Sequence, residues 1–266
     1  MDMESKNIDN DILPQVNSEV GKIFVKPNCF ENWIMDCADD HSIGGEANTK
    51  KLQEAVKGII DELQCDSVHV PPKNIAVPAI MANSYTDDDE LRMLYANLIA
   101  SSMVENSFNK AHPSFVEIIK QLTPREAILL KRSNLLTTKM PICEVRVQKK
   151  PWFNNIKCNF PPNNIFRFYS EGYTVHRFYM PQIKDIHPNE LEIMIENFIR
   201  LQLIECQFEK IIIDEKAYEM FYKDHYMERI EKEEVKTLPV RAEVAHIKGV
   251  LIPTKYGQRF YEVCIK

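Results

Sequence analysis

The sequence predicts an α+β protein, mainly α, with an N-terminal helical bundle followed by a winged-helix-like C-terminal module with a β-hairpin insertion. Three observations support this fold class: apolar residues recur at helical spacing in the first half, an aromatic stretch with strand-like alternation follows, and helices and strands alternate towards the end. We therefore divide the chain into an N-terminal arm or linker (1–45), a helical bundle (46–133), an aromatic, basic and β-rich connection (134–187) and the winged-helix-like module (188–266).

The first predicted helix covers residues 46–64. Its apolar residues fall on one face at helical spacing, namely Leu52, Val56, Ile59, Ile60 and Leu63. In the next segment Pro71 and Pro72 can begin a helix, whereas Pro78 is expected to kink or divide it. These elements, with the three that follow them, predict the short-looped helices of a compact bundle.

Four consecutive acids, from Asp87 to Glu90, precede an apolar stripe over residues 91–103. Thr86 or Asp87 is the predicted N-cap, because acids in a first turn accept its free N–H groups and complement the helix dipole. A metal site is disfavoured, since consecutive helix residues project about 100° apart and cannot all face one ion. The stretch also lacks the spaced oxygen ligands of an EF-hand.

Two further helices are predicted to begin at prolines, at Pro113 and at Pro124. Phe115, Ile118, Ile119 and Leu122 form the apolar side of the first one. Thr123 and Glu126 have the spacing of a capping box, in which each side chain satisfies the other residue's backbone N–H group.

The pattern changes after residue 134. Residues 142–148 alternate like a strand, and 166–180 resemble a hairpin that turns near 170–172. We then expect a helix at 188–203, a strand at 204–213 and a charged amphipathic helix at 214–233. A strand and turn follow, and Thr254 is the predicted cap of a terminal helix.

Composition and charge indicate an ordinary cytoplasmic protein. Lys and Arg number 33 against 39 Asp and Glu, for a net charge of -6, so no global field attracts nucleic acid or anionic lipid. No apolar run is long enough to cross a membrane, and the polar, acidic N-terminus is not a secretory signal. The seven cysteines are scattered without a CxxC pair, as expected for buried thiols in a reducing compartment.

No common catalytic motif occurs in the sequence. The seven histidines lack zinc-ligand spacing, and neither a phosphate-binding glycine loop nor a GxSxG elbow occurs. We therefore predict no catalytic, cofactor-binding or metal-binding residue and no cofactor. A Cys–His pair that meets only in the folded chain is left open.

The most informative polar segment runs from residue 145 to 180, where basic and aromatic residues alternate. Such a composition suits stacking on single-stranded nucleic acid, but it equally suits a packed β-hairpin that contacts protein, and we favour the second interpretation. The predicted partner or nucleic-acid contacts are Arg146, Lys149, Lys150, Trp152, Phe153, Lys157, Arg167, Tyr169 and Arg177.

Duplex DNA binding by the C-terminal module is disfavoured by its charge. Its candidate recognition helix, residues 189–203, carries Glu190, Glu192 and Glu196 against Arg200 alone. Phosphate neutralisation supplies much of the affinity for duplex DNA, so an acidic helix would be repelled. We expect this module to pack against protein.

Two stretches resemble the bacterial abortive-infection alpha family, over residues 68–132 and 249–264. The matching positions are Asp89 to Arg92, Tyr95, Ala96, Leu98 to Ala100, Ser102, Met103, His112 to Leu122, Pro124, Ala127, Gly257 and Cys264. Tyr256 stands where the family is expected to have Phe, and Thr123 where it is expected to have Ser. The resemblance implies a cytosolic bacterial or phage-encoded protein of bacteriophage defence, and it carries over no catalytic residue.

Three functional hypotheses follow. The first is a non-enzymatic defence protein that acts through contacts with a phage or host protein. The second is a regulatory protein that binds nucleic acid through residues 145–180, and the third is a cryptic hydrolase or nuclease toxin whose site assembles only in the fold. No membrane partner is expected, and the sequence leaves homo-oligomerisation open.

Overall fold

The computed structural model describes residues 15–16, 23–25, 33–64, 68–104, 107, 109–149, 172–234 and 242–266. Over these residues the protein is α+β and mainly helical, as predicted. The chain forms two compact units. Unit 1 comprises Met1–Lys131 together with Arg259–Lys266, and unit 2 comprises Arg132–Gln258.

Unit 1 is built mainly from helices. In chain order its first elements are β1 (Gln15–Val16), β2 (Ile23–Val25), α1 (Trp33–Asp40), α2 (Glu46–Glu62), β3 (Val68–His69), α3 (Lys73–Ser84), α4 (Asp89–Met103), α5 (Ser114–Lys120) and α6 (Pro124–Arg132). The three short strands pair antiparallel in the order β1-β2-β3. Helix α1, which buries Ile34 and Cys37, was not predicted from the sequence.

Helix α4 lies in the core of unit 1. Its buried residues are Arg92, Leu94, Tyr95, Ala96, Leu98, Ile99, Ala100, Ser102 and Met103, so small residues alternate with large ones along the buried face. The buried face of α2 contains fewer of the predicted apolar residues than expected. Leu52, Val56 and Ile60 are buried, whereas Leu63 is 53% exposed. Helix α3 is continuous through Pro78, so this proline does not divide the helix, and the alternative expectation of a kink stays a prediction.

The last residues of the chain pack on α4. A short π-helical turn, Tyr261–Ile265, follows α10 (Lys255–Phe260). Asn97 and Ser101 on α4 donate side-chain hydrogen bonds to the carbonyl oxygens of Cys264 and Val263, both at 2.9 Å. These bonds satisfy backbone acceptors that the end of a helix leaves free.

Unit 2 is organised around an antiparallel sheet with strand order β5-β4-β7-β6. Its elements are β4 (Met140–Lys149), β5 (Gly172–Tyr179), α7 (Pro188–Arg200), β6 (Ile204–Gln207), a 3-10 helix (Glu215–Tyr218), α8 (Glu219–Tyr222), α9 (His225–Glu234) and β7 (Ala242–Pro253). Strands β4 and β7 pair along ten consecutive positions, from Met140↔Leu251 to Lys149↔Ala242.

Strand β5 is the described part of the predicted hairpin at residues 166–180. It pairs with β4, from Cys143↔Tyr179 to Gln148↔Gly172. The expected turn near 170–172 lies largely outside the described residues. In the part of the chain that the structure describes, β5 therefore pairs with β4.

The segment after β6 differs from the prediction. The expected strand at 204–213 ends at Gln207, and the expected single helix at 214–233 is three shorter helical pieces. Tyr218 ends the first of these pieces, and its hydroxyl donates to the carbonyl oxygen of Gly249 at 2.9 Å and accepts from the N–H of Ile212 at 3.0 Å. This phenol ties the segment to β7, so the chain is anchored in the core before α9 begins.

Helices and strands alternate from α7 to β7 in the predicted order, and the winged-helix and bundle assignments stay predictions. The core beside the sheet contains Cys143, Val145, Tyr179, Tyr218, Phe221, Met227 and Ile230. No described helix combines the length and the apolar composition that a membrane span requires.

Candidate functional site

The acidic stretch at 87–90 begins helix α4, but the predicted N-caps Thr86 and Asp87 were wrong. The cap is Asp88, whose carboxylate accepts from the N–H of Leu91 at 3.0 Å. Thr86 still belongs to the end of α3, because its N–H and hydroxyl donate to the carbonyl oxygens of Asn83 and Ala82. The new helix therefore starts later than the sequence indicates.

The other two acids of this stretch form ion pairs within unit 1. Asp89 pairs with the buried Arg92, and Glu90 pairs with Lys131 at 3.1 Å. Among the described residues, no group of three or more His, Cys, Asp or Glu side chains is arranged to hold a metal ion.

The remaining predicted caps have the expected geometry. The N–H of Glu126 donates to Oγ1 of Thr123 at 3.3 Å, and the N–H of Thr123 donates to Oε2 of Glu126 at 2.7 Å. Oγ1 of Thr254 accepts from the N–H of Gly257 at 2.8 Å. Both threonines thus satisfy N–H groups that a helix start leaves free.

Most of the predicted partner or nucleic-acid contacts lie outside the described residues, namely Lys150, Trp152, Phe153, Lys157, Arg167 and Tyr169. Lys149 ends β4, and its side chain is also outside the described part of the chain. Arg146 is half-buried and donates to the carbonyl oxygen of Gly172 at 3.4 Å, whereas Arg177 is exposed over the ring of Phe178. A contact role for this segment stays a prediction.

A polar cluster that the sequence did not predict lies in unit 2. Three elements contribute to it: His176 from β5, Glu192 from α7 and Tyr226 from α9. His176 is only 3% exposed, and its Nε2 lies 2.8 Å from the hydroxyl of Tyr226. Its Nδ1 lies 3.6 Å from Oε2 of Glu192, which is an electrostatic contact longer than a hydrogen bond.

The electrostatics of the cluster indicate how its protons are distributed. Burial opposes the charge on Glu192, but the imidazole of His176 and the N–H of Arg177 outweigh it and lower the pKa of this carboxyl. Burial raises the pKa of the Tyr226 phenol against the opposing charge of Arg229. The lowered pKa of Glu192 and the raised pKa of Tyr226 indicate a carboxylate and a protonated phenol. Because the carboxylate lies beside Nδ1 of His176, we assign the remaining nitrogen, Nε2, as the acceptor of the phenol.

Tyr179 and Asp224 extend this cluster. The Tyr179 hydroxyl donates to Oδ2 of Asp224, and the N–H of Tyr226 lies 3.4 Å from Oδ1. Burial and the bond to Asp224 raise the pKa of the Tyr179 phenol, so this phenol remains a proton donor. The rings of Tyr179 and Tyr226 stack, with centroids 5.6 Å apart and planes 18° apart.

A cavity of about 250 Å³ opens beside these rings, within unit 2. Tyr179, Lys184, Asp224 and Tyr226 give it polar atoms, and the rest of its lining is apolar, with Met180 and Leu191 among its residues. The site thus combines a carboxylate held in place, an ammonium group and two aromatic rings with apolar side chains. Such a cavity can bind a small polar ligand.

A second feature of unit 2 is the segment 211–222, here called the apolar segment. It buries Tyr218 and Phe221 in the core, and it leaves large apolar side chains in water. The exposed fractions are 52% for Ile211, 96% for Ile213, 37% for Met220 and 54% for Tyr222. The predicted continuous helix over 214–233 did not indicate this alternation.

Sequence reasoning missed the polar cluster for a physical reason. Its members come from three parts of the chain, namely β5 (positions 176 and 179), α7 (192) and the start of α9 (224 and 226), and no local spacing relates these parts. The only signal in the sequence was the high density of tyrosine and histidine in and near β5 and the start of α9, and ordinary core packing also produces such a density.

One protein-family model, described as abortive infection alpha, matches residues 44–264. The match includes both stretches on which the sequence resemblance rests, and it also spans the aromatic connection between them. No curated protein sequence and no solved structure matches the chain significantly.

Proposed function

The chain belongs to the abortive infection alpha family, and from this premise we propose that it acts in bacteriophage defence by contacting a protein of the phage or of the host. The family match supports the defence role. The protein contact is our own inference from unit 2, and it places the contact on a different segment from residues 145–180, for which the sequence predicts one.

The observation that carries this proposal is the exposure of the apolar segment. Fully burying an isoleucine side chain is favourable by roughly 1.5–3 kcal/mol, so an exposed isoleucine does not contribute this stabilisation to the fold of the free protein. Ile213 is 96% exposed, and three further large apolar side chains of the same segment are at least 37% exposed. Clustered exposure of this kind marks surfaces that bind another protein.

The surroundings of the apolar segment suit an interface. Exposed side chains of both charges lie beside or within it, namely Glu209, Lys210, Asp214, Lys216 and Glu219. Protein interfaces commonly have an apolar centre with a polar, solvated rim. The segment is also anchored from within by Tyr218, so its outer side chains are held in place before a partner arrives.

The test is a double variant, Ile211→Ser with Ile213→Ser, in bacterial cells that are protected by the wild-type protein. We expect the efficiency of phage plating to rise at least tenfold over the wild-type level, because the loss of two buried contacts weakens binding by that factor or more. Circular dichroism of the purified variant should be unchanged, since both side chains are exposed.

Ile193→Ser is the matched control. Ile193 is 67% exposed on α7, outside the apolar segment, so the control makes one Ile→Ser change of the same kind on a different surface. Retained protection in this control with lost protection in the double variant supports the proposal. Full protection by the double variant, or an equal loss in the control, would contradict it.

A further inference from the structure

We propose that the cavity of unit 2 binds a small zwitterionic molecule of the amino-acid class that carries an apolar side chain. The proposal is independent of the apolar segment, because the two features share no residue. It assigns a role to charged and aromatic groups that the protein contact does not use.

Size sets the first limit on the ligand. Pockets that bind drug-sized molecules commonly measure roughly 300–1,000 Å³. The cavity beside Tyr179 and Tyr226 measures about 250 Å³ and is partly open, so the part of a ligand that it encloses is smaller than these. A free amino acid is of suitable size to fill it.

Asp224 determines where the positive end of the ligand binds. Its two oxygens each accept from one donor, the hydroxyl of Tyr179 and the N–H of Tyr226, which fix the orientation of the carboxylate. Each carboxylate oxygen can accept a second hydrogen bond, so both retain a lone pair for a ligand in the cavity. An ammonium group on the ligand supplies the N–H donors and the charge that this carboxylate lacks.

Lys184 determines where the negative end binds. It lines the same cavity and is exposed, and none of the described residues forms a hydrogen bond or an ion pair with its ammonium group. A ligand carboxylate can therefore pair with Nζ of Lys184 without displacing an existing contact. One acid and one base at a single cavity complement a molecule that carries both charges.

The remaining lining favours an apolar side chain. Met180, Ile183, Ile186 and Leu191 face the cavity and offer no hydrogen-bonding side-chain group. Burying a polar ligand side chain against them would cost desolvation without compensation. We therefore expect leucine-like ligands to bind better than serine-like ones.

His176 is a positioning residue for this site. It does not line the cavity, but its Nε2 accepts from the hydroxyl of Tyr226 and its ring stacks on Tyr179 with centroids 5.8 Å apart. Through these contacts it holds the two aromatic walls and, through Tyr179, the carboxylate of Asp224.

The experiment measures the thermal unfolding midpoint of the full chain with millimolar L-leucine, L-methionine or L-serine. A ligand that binds only the folded protein raises the midpoint, so we expect a rise with leucine and methionine and a smaller one with serine. Two matched probes each lack one charge, 3-methylbutylamine and 4-methylpentanoate. We expect their affinities in calorimetry to be at least tenfold weaker than that of leucine, because each leaves one charged group of the site unpaired.

Charge-changing variants locate the site. Asp224→Asn and Lys184→Gln should each weaken leucine binding at least tenfold. Asp185→Asn and Lys210→Gln make the same charge changes on exposed residues that do not line the cavity, so they should leave binding unchanged. If Asp224→Asn fails to fold, Lys184→Gln still decides the matter, because its side chain is exposed.

Three results would overturn the proposal: no midpoint shift with any amino acid, equal binding of a one-charge probe, or unchanged leucine binding in the folded Lys184→Gln variant. Failure of this site leaves phage protection by the apolar segment untouched, since that is measured with different variants. The two proposals can therefore fail separately.

Discussion

The hydroxyl of Tyr226 lies 2.8 Å from Nε2 of His176, and this contact joins helix α9 to strand β5 inside unit 2. The imidazole is 3% exposed, so the phenol satisfies a nitrogen that water cannot readily reach. An unpaired buried acceptor costs free energy, which makes this bond a structural requirement as well as a feature of the cavity wall.

Replacing Tyr226 by Phe should therefore destabilise the protein. The change removes the donor to His176 and leaves a buried acceptor unpaired, at a cost of about 1–3 kcal/mol in the free energy of unfolding. Urea denaturation followed by circular dichroism measures the loss. Tyr85→Phe is the control, because Tyr85 is 68% exposed and its hydroxyl reaches water. Equal stabilities of the two variants would contradict the assigned hydrogen bond.

Glu192 should make stability depend on pH in the acid range. Its pKa is lower in the folded protein than in the unfolded chain, so it stabilises the fold above about pH 4.3, the usual glutamate pKa, and this contribution is lost as the pH falls through the lowered value. The stability difference between wild type and Glu192→Gln should be largest near neutrality and should shrink in acid.

Urea midpoints at a series of pH values measure this difference. Glu196→Gln, an exposed position on the same helix, serves as the comparison and should show a smaller dependence on pH. If the stability difference between wild type and Glu192→Gln grew as the pH fell, burial of Glu192 would determine its pKa, rather than its contacts with His176 and Arg177.

Asp88→Ala should cost about 1 kcal/mol of stability, the usual cost of losing an N-cap side chain. The reason is the hydrogen bond that Asp88 accepts from the N–H of Leu91. Asp87→Ala removes the same charge from an exposed position one residue earlier and should change little. Chemical denaturation of both variants distinguishes the loss of an N-cap from a general effect of removing a negative charge. A general effect would reduce the stability of the two variants equally.

Two glycine substitutions should change the free energy of unfolding in opposite directions. A Cβ atom at Gly257 would meet the carbonyl oxygen of Leu203 at 2.0 Å, so Gly257→Ala forces backbone to move and should cost about 2 kcal/mol or more. Gly58 lies inside α2, and a methyl group added there would have nothing within 4 Å, so Gly58→Ala should gain about 0.5–1 kcal/mol. Thermal unfolding midpoints of the pair give the comparison, and a tolerated Gly257→Ala would contradict the close packing of α10 on Leu203.

Features fixed by neighbouring residues could be predicted from the sequence. The capping pair Thr123 and Glu126 is such a feature, and so is the buried side of α5, where Phe115, Ile118 and Ile119 are at most 5% exposed as the spacing indicates. Local chemistry is sufficient in these cases, because the partners lie within one or two turns of each other.

Features that depend on distant residues could not be predicted. Helical periodicity over 214–233 suggested one helix, but the structure has three shorter pieces, and Tyr218 at the end of the first is bonded to Gly249, which is 31 positions away. The start of α4 was misplaced because Thr86 bonds backward into α3 instead of forward. The polar cluster around His176 depends on the register of β5 and the docking of two helices, and neither is encoded in local spacing.

The C-terminal turn has a consequence for how the protein is made. Because Arg259–Lys266 belongs to unit 1, and Asn97 and Ser101 bond to its backbone, unit 1 receives its final pieces only after all of unit 2 has left the ribosome. Until these residues are synthesised, the side chains of Asn97 and Ser101 on α4 lack their backbone partners. A nascent chain stalled before residue 259 should therefore be more sensitive to protease in α4 than the released protein.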